Sequence, residues 1–261
     1  MSIIAITSPG GAPGATTTAF ALTLTWPGRG LLAECAPAGG VLARGYFRCH
    51  QPPGQDLWNL ARTAVNGADA TQAEVWQQTI PLDGDSEHLL LPGLTDPFLS
   101  VQIAPSTWET IADVFADLPL TVLADTGPIG PDTPFPLLRA ADLVMVVMRP
   151  TLAQVTAAQP RIERLRKSLG AVPLALCLIG DRPYGAREVR AELGDVVATY
   201  VLPIDVRAAR VLSNGADTDR ERRRIERGNL VRTASQVSRL LNQRVLDDAA
   251  LRAQTVQEGG R

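Results

Sequence analysis

The sequence predicts an α/β protein with a doubly wound, mainly parallel sheet and helices on both faces of that sheet. Short apolar runs of strand length alternate along the 261 residues with longer segments of helical periodicity, as they do in βαβ units. The run Leu143–Met148 shows no alternation of polar and apolar residues, which is typical of a parallel strand buried on both faces. One domain is predicted over residues 1–245, with a polar, flexible tail over residues 246–261.

The predicted strands are apolar runs bounded by Gly, Pro or Asp, which punctuate local structure. They cover Ser2–Ile6, Gly30–Glu34, His88–Leu91, Leu120–Ala124, Leu143–Met148, Leu174–Ile179 and Thr199–Leu202.

The predicted helices fill the segments between these strands. They cover Thr16–Trp26, Gln55–Val65, Thr107–Asp117, Thr151–Leu169, Ala186–Leu193 and Arg220–Arg244. In the fourth helix, Ile162, Leu165 and Leu169 recur at helical spacing and form one apolar face that would pack on the sheet. Pro160 is expected to kink or restart that helix.

Composition excludes several classes of function. The formal net charge of −2 argues against a wholly basic nucleic-acid-binding protein. Cys35, Cys49 and Cys177 are far apart, and the only histidines are His50 and His88, so neither a disulfide framework nor a zinc cluster is predicted. Cys49 and His50 are adjacent, but adjacent side chains of an extended chain point apart, so a reactive Cys–His pair is not favoured. No apolar stretch reaches 18 residues, and the expected location is the cytoplasm.

A glycine-rich loop follows the first predicted strand. The strand runs into Ser8-Pro-Gly-Gly-Ala-Pro-Gly-Ala-Thr-Thr17, and a helix is predicted from the threonines onward. A strand, a glycine-rich turn and a helix N-terminus place several backbone N–H groups around one point, with the helix dipole directed at it. The loop therefore predicts an anion site, here called the phosphate loop (residues 8–17). The alternative is that its glycines serve only to join the strand tightly to the helix.

The phosphate loop differs from the standard pattern G-x-x-x-x-G-K-[ST], in which the lysine contacts phosphates and the hydroxyl residue holds magnesium. With Gly14 as the last glycine, Ala15 occupies the lysine position and Thr16 the magnesium position, while Pro9 replaces the first glycine. Pro13 also removes one N–H donor. The candidate nucleotide-binding residues are Gly10, Gly11, Gly14, Ala15, Thr16 and Thr17.

The loop resembles that of the ParA/MinD family of deviant Walker P-loop ATPases, which reads roughly K-G-G-x-G-K-T-T. Both lysines of that pattern are absent, since the signature lysine is replaced by Gly10 and the ordinary one by Ala15. The resemblance implies a P-loop NTPase fold and ATP or ADP with Mg²⁺ as the ligand. It also implies a homodimer formed face to face.

Four further segments resemble the same family. Leu31–Gly40 resembles its second strand and switch, with Glu34 retained as an acid but Ala36 where the family has the aspartate implied to position the attacking water. Leu120–Pro128 resembles the Walker B strand, with Asp125 as a candidate magnesium and switch residue. Asp125 has an alternative role as a cap of the following turn. The segments 140–150 and 201–207 resemble the later strands.

These losses predict a pseudo-ATPase rather than an enzyme. A charge-assisted hydrogen bond to a phosphate is worth about 1.5–3 kcal/mol, and a cation of the arginine-finger type about 10³–10⁵ in rate. Weak binding of a magnesium nucleotide would survive on the N–H cradle, Thr16, Thr17 and Asp125. Arg44 or Arg48, from the following loop or from a partner subunit, would be the arginines to replace a lysine. The predicted function is a non-hydrolysing positioning or assembly factor, resembling TadZ/CpaE-type proteins of Flp-type pilus or secretion systems in actinobacteria. The alternative is an active ATPase that partitions DNA or protein cargo.

An arginine-rich segment precedes the last part of the chain. Its arginines are candidates for contact with DNA or a partner, as in ParA-like proteins. The interleaved acids favour instead a solvated helix with intrahelical ion pairs, so DNA binding is not favoured. Asp247, Asp248 and Glu258 argue against direct membrane binding by the C-terminal end, and any membrane recruitment would need a partner. The candidate contact residues are Arg220, Arg222, Arg223, Arg224 and Arg227.

Overall fold

The computed structural model describes residues 2–11, 14–49, 54–82 and 86–259. The strands in these ranges are β1 Ser2–Ser8, β2 Gly30–Glu34, β3 Ile80–Pro81, β4 His88–Leu91, β5 Thr121–Pro128, β6 Leu143–Met148, β7 Leu174–Ile179 and β8 Ala198–Leu202. The helices are α1 Ala15–Leu24, α2 Leu57–Ala64, α3 Ala68–Gln78, α4 Pro105–Asp117, α5 Phe135–Ala140, α6 Leu152–Leu169, α7 Ala186–Leu193, α8 Val206–Asn214, α9 Asp219–Glu226 and α10 Asn229–Gly259, with a 3₁₀ helix over Pro97–Gln102.

The strands form one sheet in the order β3-β4-β2-β5-β1-β6-β7-β8. The pairs from β4 to β8 are parallel, and β3 is antiparallel to β4. The central strands β1, β2, β5 and β6 carry mostly apolar residues without alternation because helices cover both of their faces. The predicted fold class is thus confirmed.

The two faces of the sheet have separate cores. Successive residues of β1 point to opposite faces, so Ile3 packs in one core and Ile4 in the other. Helices α2 to α7 cover the first face, and α1, α8, α9 and α10 cover the second. Because every parallel strand points the same way, the loops that follow these strands, including the phosphate loop, meet at one edge of the sheet. This edge is called the carboxyl edge below.

The structure corrects several predicted elements. Helices α3, α5 and α8 and the short strand β3 were not predicted. The predicted helix over Arg220–Arg244 is two helices, α9 and α10, which are separated at Arg227 and Gly228. Helix α10 continues to Gly259, through the segment for which a polar, flexible tail is predicted, and the flexibility of residues 246–261 stays a prediction. Helix α6 runs through Pro160 and does not restart there.

Two of the cysteines are buried core residues and the third is exposed. Burial raises the pKa of the Cys35 thiol above the usual range and that of the Cys177 thiol to about 12, so both stay protonated. Cys49 is exposed, and His50 lies outside the described residues.

Candidate phosphate-binding site

The phosphate loop joins β1 to α1 at the centre of the carboxyl edge. β1 lies between β5 and β6 and is buried along its whole length, which fixes the position where the loop begins. Helix α1 starts at Ala15, and no side chain in the described part of the chain caps its N-terminus. The first N–H groups of an α-helix lack intrahelical acceptors, so the helix presents unsatisfied donors and the positive end of its dipole to the loop.

Glycine is required at one of the three loop positions that were singled out. Gly14 has a φ of 122°, which L-amino acids rarely adopt, and an added Cβ there would lie 3.4 Å from the side chain of Ile179. Gly10 and Gly11 have no atom within 4 Å of an added Cβ. The purely structural interpretation of the loop therefore accounts for Gly14 but not for Gly10 or Gly11, where the space beside the backbone is open.

The two candidate magnesium residues contact each other. The Thr16 hydroxyl donates to Oδ2 of Asp125 at 2.5 Å, across 109 residues of sequence. The other oxygen, Oδ1, accepts from the backbone N–H of Gly127 at 3.0 Å. Asp125 thus contacts the first turn of α1 and also caps the turn after β5. Its function as a magnesium residue stays a prediction.

Glu34 and Asp125 form a pair of buried acids on adjacent strands. They are register partners on β2 and β5, and each is 2% exposed. Burial raises the pKa of Asp125, and the hydrogen bonds from Thr16 and Gly127 oppose that shift. Burial also raises the pKa of Glu34, with three backbone N–H donors opposing it and the charge of Asp125 adding to it. Both shifts favour the neutral carboxyl.

Glu34 holds the segment after β2 in place. Its Oε1 accepts from the N–H groups of Val41 at 2.8 Å and Leu42 at 3.1 Å, and its Oε2 accepts from Gly93 at 3.2 Å. The side chain therefore ties the end of β2 to the turns that follow β2 and β4. Sequence reasoning selected Glu34 but missed Val41, Leu42 and Gly93, because these contacts use backbone groups that carry no sequence signal.

The charges of an active phosphate site are missing at the positions where the resemblance puts them. Ala15 is the first residue of α1 and is 7% exposed, and it ends in a methyl group. Ala36 packs against Gly127, where an added Cβ would be 2.9 Å from the Ala36 Cβ, and it has no polar side-chain atom. The single lysine, Lys167, lies in the last turn of α6, and a helix that follows a parallel strand ends at the opposite edge of the sheet.

The two arginines proposed as substitutes for the lysine are engaged elsewhere. The guanidinium of Arg44 donates to the carbonyl oxygens of Gly40 at 3.0 Å and Thr95 at 3.3 Å. That of Arg48 donates to the carboxylate of Asp217 at 2.6 Å, in the turn between α8 and α9. Neither contact is with the phosphate loop, so the structure does not support their use as the missing cation.

The five arginines of the arginine-rich segment are exposed on and just after α9. Two residues of this segment contact other parts of the chain, and the predicted intrahelical ion pairs stay a prediction. Glu221 pairs with Arg210 of α8, and Arg222 donates to the Tyr46 hydroxyl at 3.0 Å. Arg222 thus helps to hold the segment after β2, and a role of the segment in binding DNA or a partner stays a prediction.

The residues present fit a magnesium nucleotide in their chemistry. A hydroxyl and a carboxylate oxygen are ligands that Mg²⁺ prefers, and Thr16 and Asp125 supply one of each beside an uncapped helix N-terminus. A bound Mg²⁺ would supply positive charge to phosphate oxygens. Thr17, in the first turn of α1, and Gly10 and Gly11, with open space beside them, would line such a ligand. Within the described ranges there is no cluster of three or more His, Cys, Asp or Glu that could hold a metal.

This geometry defines a phosphate-loop protein of the doubly wound α/β class. Solved structures of ParA/MinD-type ATPases share the fold. A ParA family ATPase from Chlorobium tepidum TLS superposes with a TM-score of 0.71 at 14% identity, over 91% of this chain and 97% of that one. A chain of the MinC:MinD cell division protein complex of Aquifex aeolicus gives a TM-score of 0.69 at 15% identity, over 93% of this chain and 96% of that one.

A third structure, the septum site-determining protein MinD complexed with Mg-ADP from Pyrococcus horikoshii OT3, gives a TM-score of 0.67 at 15% identity, over 92% of this chain and 97% of that one. At these identities the likeness shows the fold, which is that of the ParA/MinD P-loop NTPases. No protein-family model and no curated protein sequence matches the chain. No helix among the described residues is long and apolar enough to cross a membrane.

Proposed function

We propose that this chain is a ParA/MinD-like positioning or assembly factor that retains a nucleotide-binding cradle but does not hydrolyse the bound nucleotide efficiently. The observation that carries the proposal is the Thr16–Asp125 contact at the uncapped N-terminus of α1, beside alanines at positions 15 and 36. The groups that would hold a magnesium nucleotide are together. The charged side chains that the family pattern has at positions 10, 15 and 36, which would stabilise charge in the transition state, are replaced here by glycine and alanine.

The comparisons support a role in positioning. The solved structures with this fold include a MinC:MinD cell division complex and a plasmid partition protein from Borrelia burgdorferi. We propose that this chain likewise acts with a protein partner, in the cytoplasm, and reaches a membrane only through that partner. The Gly-Ala-Pro-Gly-Ala-Thr-Thr sequence of its loop favours a TadZ/CpaE-type localisation protein of a pilus or secretion system.

The proposal includes a homodimer formed through the carboxyl edge. Large apolar side chains are exposed in the segments that follow β2, β4, β6 and β8, all at this edge. Phe98 is 82% exposed and Val101 is 77% exposed, both in the 3₁₀ helix after β4. We take these exposed apolar side chains, which share one edge of the sheet, as the surface through which two copies would pair. Its members are Val41, Phe98, Val101, Leu152, Ile204 and Val206.

Phe98→Glu is expected to dissociate the dimer. A carboxylate placed in an apolar interface costs about 2 kcal/mol or more, which is roughly a thirtyfold rise in the dimer dissociation constant. Light scattering after size-exclusion chromatography would show a dimeric wild-type protein and a monomeric variant. Val65→Glu is the matched control, because Val65 is 75% exposed at the end of α2 and should leave the dimer intact. A monomeric wild-type protein at all concentrations would contradict the homodimer.

The second candidate function is an active ATPase that partitions DNA or protein cargo. The exposed arginines of α9 favour it, since they would contact a nucleic-acid backbone without regard to sequence. The two functions differ in turnover: an ATPase of this kind would hydrolyse Mg-ATP and do so faster with DNA. The proposed factor would bind Mg-ATP without hydrolysing it at a comparable rate.

A further inference from the structure

The carboxyl end of β6 lies between the two ends of the phosphate loop. The sheet order is β1-β6-β7, so β6 is the direct neighbour of β1. The loop leaves β1 after Ser8 and returns at Gly14, whose added Cβ would lie 3.4 Å from the Ile179 side chain. Ile179 is the last residue of β7. The described residues at the two ends of the loop, Ser8 and Gly14, therefore flank the end of β6.

The strand registers identify the residue at that crossing. Thr7 of β1 pairs with Val146 of β6, two residues before β6 ends at Met148. On its other side, β6 pairs with β7 in a register that puts the next residue, Arg149, level with Ile179. Neighbouring strands are about 4.8 Å apart, so Arg149 stands at the rim of the phosphate loop.

Arg149 is an uncommitted cation at this position. Its side chain is exposed, and among the described residues it makes no hydrogen bond or ion pair. Its backbone N–H donates to Oε1 of Gln154 at 2.7 Å, which fixes the peptide from which the side chain extends. Arg44 and Arg48 differ in this respect, since their guanidinium groups are already bonded to other parts of the chain.

We propose that Arg149 is the cation of the phosphate loop and that it binds the phosphate groups of a nucleoside di- or triphosphate in place of the lysines absent at Gly10 and Ala15. The open space beside Gly10 and Gly11 gives the guanidinium and a phosphate room to meet. Arginine suits this task because its planar fork donates two hydrogen bonds to a phosphate. The inference rests on the proposed function, because it assumes that the cradle binds a nucleotide.

The planar guanidinium of Arg149 also explains why the nucleotide would still bind although its hydrolysis is lost. Arginine and lysine present their donors in different geometries, so an arginine at the rim can neutralise phosphate charge without reaching the transferring group as the lysine of an active site does. Arg149 is thus assigned to the binding of the ligand.

The test is calorimetric titration of Mg-ATP, Mg-ADP and inorganic tripolyphosphate into the purified protein and its variants. Arg149→Ala is expected to weaken binding of all three ligands by about tenfold or more, the loss of a charge-assisted hydrogen bond. Arg149→Lys should recover part of that loss. Arg139→Ala is the matched control: Arg139 is an exposed arginine in the last turn of α5, at the opposite edge of the sheet, and its removal should change affinity less than twofold.

The outcomes separate this inference from the proposed function. Equal binding by the wild-type protein and Arg149→Ala would overturn the assignment of Arg149 and leave the nucleotide cradle standing. An equal loss of affinity in Arg139→Ala would also overturn it, because the effect would then not depend on the position of Arg149 beside the loop. A wild-type protein that binds none of the three ligands would overturn both proposals.

Discussion

Replacing Ala15 by lysine is expected to tighten the binding of Mg-ATP by about ten- to a hundredfold. A lysine at the first position of α1 would add a charge-assisted hydrogen bond of about 1.5–3 kcal/mol to a phosphate held at the helix N-terminus. The gain needs a cradle that is already shaped for phosphate, because a single ammonium on a surface binds phosphate weakly. Calorimetric titration of Mg-ATP measures it directly.

Ala15→Met is the matched control for this substitution. Methionine adds a long unbranched side chain at the same buried position without adding a charge, so it reports the cost of placing bulk there. If Ala15→Lys bound Mg-ATP no more tightly than Ala15→Met, the loop would not be a phosphate cradle.

Asp125→Asn is expected to have two opposite effects, a lower affinity for the magnesium nucleotide and a higher stability of the fold. The asparagine keeps the local hydrogen bonds, since its oxygen can accept from Gly127 N–H and its amide can donate to the Thr16 hydroxyl. It removes the negative charge that would attract Mg²⁺, and we expect the magnesium-dependent part of the affinity to fall about tenfold. It also removes a buried charge for which the described residues provide no cationic partner.

The gain in stability should depend on pH. Burial raises the pKa of Asp125 in the folded protein, so the folded state binds its proton more tightly than the unfolded state does. The stabilising contribution is fully present below the unfolded pKa and is lost as pH rises through the folded pKa. The free energy of unfolding of the wild-type protein should therefore fall, relative to that of Asp125→Asn, as pH rises from about 4 through that raised value. Urea unfolding at a series of pH values measures the difference.

Asp132→Asn is the control for the change in net charge, because Asp132 is exposed in the turn after β5. It should unfold with the same pH dependence as the wild-type protein. A wild-type protein that gained stability relative to Asp125→Asn as pH rose would contradict the account, since it would show that the folded state favours the carboxylate.

Much of the sheet could be predicted because its strands are buried on both faces. The apolar runs of β2, β4, β6 and β7 begin and end where the structure has them, since no solvent-exposed positions interrupt the pattern. β5 was predicted too short because its last residues, including Asp125 and Thr126, are polar but buried. β3 has two residues and exists only through its pairing with β4.

The helices that the sequence did not predict have weak patterns of apolar residues. Helix α3 buries only Thr71, Val75 and Gln78, so no apolar stripe marks it in the sequence. The division between α9 and α10 was visible in principle, because Gly228 is a helix breaker between two helical patterns.

The segments of the candidate site could be predicted from the sequence, but the contacts between them could not. The order of strand, glycine-rich turn and helix was sufficient to place the phosphate loop, and the resemblance selected Asp125. The sequence could not show that Arg44 and Arg48 are bonded elsewhere, or that Arg149 stands beside the loop. Those facts depend on which strand lies next to β1 and in what register, and such information arises only when distant segments pair.

We propose that this fold keeps the shape of a phosphate site and lacks the charges that an ATPase needs for hydrolysis. Steady-state hydrolysis of Mg-ATP by the wild-type protein and by Asp125→Ala, each alone and with DNA, tests it most directly. We expect the two proteins to hydrolyse Mg-ATP at the same background rate, and we expect DNA not to raise that rate. Magnesium-dependent turnover by the wild-type protein that Asp125→Ala abolishes would contradict it.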